Sequence, residues 1–114
     1  MKKYAVFVML MLVTLMAIPV HAATFCDGNV TYVLVQNNGG VVVGGPGGLP
    51  DVYICTLGTT SANGWTPDAC KAAYATLLAA NLSGQTVTIA LTDNMACSAF
   101  PAWTLVNAYA VYKP

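Results

Sequence analysis

The chain has 114 residues, of which 57% are hydrophobic and 7% charged, with a formal net charge of +0. From Ala23 onward it contains no histidine, glutamate or arginine; beside tyrosines and cysteines its ionisable side chains are Asp27, Asp51, Asp68, Asp93, Lys71 and Lys113. Acid–base, metal-hydrolytic and nucleophilic catalysis draw on histidine, tuned glutamate or grouped carboxylates, so the composition argues against an enzyme and for a binding module without metal or cofactor.

Lys2 and Lys3 precede an apolar run ending near Ile18, Pro19 breaks it, and Val20-His21-Ala22 presents small residues at a cleavage position. This is the pattern of a secretory signal peptide over residues 1–22. The run is shorter than the roughly 20 residues that span a bilayer, so no membrane span is expected after cleavage. The protein is expected to be exported, to the periplasm or beyond the cell. Residues 23–114 form one small domain carrying four aspartates against two lysines, about −2, which speaks against nucleic acid and anionic membranes.

Along the exported part, residues 29–36 (NVTYVLVQ) read as a strand, Asn37-Asn38-Gly39-Gly40 as a hairpin turn, and Val41 to Val43 as the start of a return strand. The glycine-rich stretch 44–48 resembles a phosphate loop only superficially: no Lys-Ser/Thr follows and it opens no helix. Residues 51–57 (DVYICTL) form a third strand and residues 58–65 a polar loop. Thr66 as N-cap, Pro67 at the first helical position and Asp68 in the first turn start a helix, and Gly84 suits its end. Cys70, Ala73, Tyr74, Leu77 and Leu78 give its buried stripe, leaving Ala72, Ala75, Thr76, Ala79 and Ala80 on the other side. Residues 85–91 alternate as a half-buried strand, and residues 103–112 supply the last one.

The order β-β-β-α-β-β is mainly β with one helix and fits an OB-like five-stranded antiparallel barrel; the alternative is a small α+β sheet with the helix on one face. Four cysteines in a short exported chain imply two disulfides rather than zinc, because their spacings are wide. Cys55 ends a strand-like run and Cys70 sits in the first helical turn, which favours Cys55–Cys70 and leaves Cys26–Cys97.

Trp65 and Trp103 offer faces on which sugars stack, and Ser61, Asn63 and Thr66 offer polar partners beside Trp65; these five are the candidate ligand residues. The competing reading is that Trp65 staples the helix start and Trp103 fills core. Asp51 and Asp93 lie beside turn residues and read as turn formers, not as a hydrolytic pair. The sequons at Asn29 and Asn81 read as structural.

The segment PDACKAAYATLLAANLSGQTVTIAL (residues 67–91) resembles the helix-then-strand part of B subunits of bacterial AB-type toxins, the subtilase cytotoxin and pertussis-like branch in particular. Cys26-Asp27-Gly28-Asn29-Val30, Ile54-Cys55, Ala69-Cys70-Lys71 and Cys97-Ser98-Ala99-Phe100-Pro101-Ala102-Trp103 also resemble elements of small exported bacterial proteins of unknown role. The toxin resemblance implies a homo-oligomeric ring, a pentamer with one helix per subunit around a pore, binding sialylated glycans through polar loop and strand residues; none of those residues matches a position here. From another class comes the alternative of a monomeric periplasmic or secreted protein-interaction module, an enzyme inhibitor or envelope accessory, that uses the loop at residues 58–65.

Overall fold

A computed structural model describes residues 23–114. The expected leader over residues 1–22, with its cut after Ala22, lies outside the described residues. Six strands and one helix follow in order: β1 (Thr24–Asn29), β2 (Tyr32–Val35), β3 (Gly40–Gly44), β4 (Val52–Thr56), α1 (Pro67–Ser83), β5 (Thr86–Leu91) and β6 (Ala108–Tyr112), with short 3-10 turns at Pro46–Gly48 and Cys97–Ala99. The strands form two antiparallel three-stranded sheets, ordered β1-β5-β6 and β2-β3-β4.

The protein is therefore mainly β with one helix, but the five-stranded closed barrel expected from the sequence is replaced by two sheets. The first expected strand is two strands. β1 pairs with β5, and the chain then bends at buried Val30 so that Thr31 N–H donates to Gly44 O at 3.0 Å and β2 pairs with β3. The last expected strand is also divided. Residues 103–106 run parallel to β4, with Tyr53 N–H donating to Thr104 O and Val106 N–H to Tyr53 O, and β6 begins only at Ala108. A side chain ends that parallel seam: the Asn63 amide donates to Ile54 O at 2.7 Å and to Val106 O at 2.9 Å. It occupies carbonyls that a continuing backbone ladder would use.

The core is β-branched and aliphatic, as strands buried on a shared face require. Val41, Val43, Val52, Ile54, Val87, Ile89 and Leu91 meet Cys70, Ala73, Leu77 and Ala80 of α1. Two burial expectations are corrected. Ala80 is buried and not on the open side of the helix, while Tyr74 and Leu78 are only half-buried. β5 is buried on both faces, because it is the central strand and its outward Thr88 and Ala90 are covered by side chains of β1 and β6.

The helix ends follow the local chemistry. Thr66 Oγ1 accepts from Ala69 N–H at 3.2 Å, Pro67 starts the helix, and Gly84, at φ 69°, donates its N–H to Ala80 O. Thr66→Ala is expected to cost about 1 kcal/mol of stability, read as a lower urea midpoint with an unchanged m-value. Disulfides join Cys55 to Cys70 and Cys26 to Cys97, with Cα–Cα distances of 5.7 and 5.8 Å. The first pins the end of β4 to the first turn of α1; the second pins β1 to the turn at Cys97–Ala99. Paired cysteines of this kind suit an oxidising compartment. Among the described residues no helix is long and apolar enough to cross a membrane.

Candidate functional site

The five candidate ligand residues do not form one site. Asn63, Trp65 and Thr66 come together with Gly64, Ala69, Ala108 and Tyr109 around a shallow, open groove of about 340 Å³. Their polar atoms, however, are occupied by the fold. Trp65 Nε1 donates to Ala108 O at 2.6 Å, the Asn63 amide bridges two strands, and Thr66 caps the helix. Ser61 lies behind the groove, buried, its Oγ accepting from Thr56 N–H at 2.7 Å and its own N–H donating to Trp65 O. The loop at residues 58–65 is thus bonded to itself and to both sheets. One buried atom stands apart: Asn63 Oδ1 has no hydrogen-bond partner among the described residues.

Trp103 lies elsewhere, on the outer face of the β2-β3-β4 sheet. Core filling, the competing role for it, does not occur: the side chain is 50% exposed. Its backbone sits at φ 61°, the one positive φ outside glycine among the described residues. A bulky residue in this region is costly and is held only where surroundings enforce it. Here Trp103 N–H donates to Asp51 O at 2.7 Å, and Thr104 Oγ1 donates to Pro101 O at 2.7 Å. The backbone strain turns the indole outward beside Tyr53, edge-on, with ring centroids 6.2 Å apart and planes at 62°.

The face around this pair has a simple construction. On β3, Gly40, Val42 and Gly44 alternate onto the outer side. The Tyr53 ring lies across Gly40, where a Cβ would come within 3.1 Å of it, and the Asp51 carboxylate lies over Gly44. Val42, paired with Tyr53 on one side and Leu34 on the other, is sealed beneath them. Leu105, bridged to Tyr53, extends the surface at 41% exposure. The result is an open apolar platform of two aromatic rings with one carboxylate at its rim.

Asp51 differs from Asp27 and Asp93. Asp27 accepts from Thr88 Oγ1, Asp93 accepts from the backbone and side-chain amides of Asn107, and Asp68 stands in the first turn of α1. The Asp51 carboxylate has no such donor among the described residues and is half-buried. Among the described residues no cluster of three or more His, Cys, Asp or Glu could hold a metal. Such a face can stack on a ligand ring and accept hydrogen bonds from it.

From the sequence, Tyr53 is only a member of the third expected strand and Asp51 a turn former. The signal that places them on one face is the pattern Asp51-x-Tyr53 opposite Gly40-x-Val42-x-Gly44, small residues facing large ones across paired strands. Compared with known protein families, curated proteins and solved structures, the chain matches none.

Proposed function

We propose that this protein is an exported, non-catalytic, OB-like module that binds glycans on the Tyr53–Trp103 face. The single observation carrying the reading is Trp103: an exposed indole held at a strained φ of 61° beside a second ring. Exposed aromatics with a few placed polar groups are the usual materials of a small-ligand site. The OB-like part is supported by strand order. Within the sheets the neighbours run β2-β3-β4 and β6-β5-β1; residues 103–106, bridged to β4, lead along the chain to β6, the chain passes directly from β1 into β2, and α1 lies between β4 and β5. OB-type barrels are partly open, and their second- and third-strand face with the adjoining loops takes oligosaccharides and oligonucleotides. With four aspartates and two lysines in residues 23–114, the oligosaccharide is the better match.

A ring-forming, toxin-like B subunit belongs to the same proposal: Ala72, Ala75 and Ala79 leave one side of α1 open for close packing. Native mass spectrometry distinguishes a closed pentamer from a monomer, and the monomer favours the protein-interaction alternative.

The test is a broad glycan array probed with the disulfide-intact exported protein. Trp103→Gly keeps the positive φ without strain and removes the ring. It is expected to weaken glycan binding at least tenfold, about 1.4 kcal/mol, while leaving the unfolding midpoint equal or higher. A silent array for the parent protein, or full binding by Trp103→Gly, contradicts the reading.

A further inference from the structure

We propose that the Tyr53–Trp103 face takes a glycan bearing an unacetylated amino sugar, with its ammonium against the indole and paired to the Asp51 carboxylate. This rests on the glycan reading above and adds the charge of the ligand.

Asp51 and Tyr53 project from the same side of the chain, as their positions over Gly44 and Gly40 show, and Asp51 O is bonded directly to Trp103 N–H. Carboxylate, phenol ring and indole therefore stand on one face, the carboxylate over Gly44 and the phenol ring over Gly40 with the indole beside it. Asp27 and Asp93 are bonded within the fold by Thr88 and Asn107, and Asp68 stands on α1 and not on these strands. Only two lysines occur among residues 23–114. Lys71 lies on α1 and Lys113 follows β6, neither of them on β3, β4 or residues 103–106. An anionic sugar would find no cation on this face and would meet Asp51. An ammonium finds both partners it prefers, an aromatic face and a carboxylate.

The test compares binding of the oxidised protein to chitosan oligomers, their fully N-acetylated counterparts and sialylated oligosaccharides, by calorimetry at low salt. The free-amine oligomers are expected to bind about tenfold tighter than the acetylated ones, with sialylated ones weakest. Asp51→Asn keeps the size and an acceptor oxygen, and is expected to bring the free-amine to acetylated ratio close to one. Trp103→Gly is expected to weaken both. Equal binding of free-amine and acetylated oligomers, tighter sialylated binding, or an unchanged ratio in Asp51→Asn overturns the amino-sugar inference and leaves the glycan reading standing. Binding to no glycan at all overturns both.

Discussion

Gly45→Ala is expected to prevent accumulation of the folded protein. Gly45 follows β3 at φ 117°, ψ −54°, a conformation closed to residues with a Cβ. An added Cβ would lie 2.6 Å from Thr31 N and 2.7 Å from Thr31 Oγ1, and closer still to Asn29 O. Two of these neighbours are backbone atoms. Thr31 N–H bonds Gly44 O at 3.0 Å and Gly45 N–H bonds Leu49 O at 2.9 Å, so both sides of the collision are tied down. This is also the bend at which the chain leaves one sheet for the other. Backbone strain of about 1–3 kcal/mol and overpacking of about 1–3 kcal/mol together approach the whole stability of a small domain. Gly58→Ala is the control: nothing lies within 4 Å of its Cβ position and it is expected to be neutral. Yield of oxidised protein and urea unfolding separate the two; a Gly45→Ala variant as stable as the parent contradicts the bend geometry.

Replacing both Cys26 and Cys97 by alanine is expected to lower stability by about 4 kcal/mol, more than replacing Cys55 and Cys70. The closed segments are 71 and 15 residues apart in sequence, and the constraint on the unfolded chain grows with loop length. For a domain of this size that loss corresponds to a Tm drop of more than about 15 °C. The two bonds also differ in access. Cys55 and Cys70 are fully buried, whereas Cys97 is half-buried and only Cys26 is sealed. Dithiothreitol without denaturant is therefore expected to open Cys26–Cys97 first, seen by alkylation and peptide mapping. Opening of Cys55–Cys70 first runs against this account.

The ends of the helix were legible in the sequence, because their signals are local: Thr66, Pro67, Asp68 and Gly84 act within one turn of their own positions. The strands were legible as extended runs, but their pairing was not. Nothing in NVTYVLVQ announces that the chain turns at Val30 into a second sheet, since that bend depends on Gly45 packing against it from 15 residues away. The parallel contact of residues 103–106 with β4 is likewise long-range, and Asn63, which ends it, looks like any polar loop residue in isolation. The same reason explains the site. Trp65 and Asn63 look available as loop residues, yet the fold uses their polar groups to close carbonyls on distant strands. Trp103, a candidate ligand residue for which core filling was the competing reading, is turned outward by a backbone conformation that no sequence pattern signals. Tyr53 and Asp51 join it only through cross-strand glycines on β3.

The proposed ligand face is the outer side of the β2-β3-β4 sheet at Tyr53 and Trp103, and not the groove beside Trp65. Titrating the 15N-labelled, disulfide-intact protein with chitosan oligomers tests it most directly. The account predicts amide shift changes concentrated at residues 40–44, 51–53 and 103–105 together with the Trp103 indole N–H, while the Trp65 indole signal stays fixed by its bond to Ala108. Changes concentrated at residues 63–69 and 108–109, or none at saturating oligomer, would contradict it.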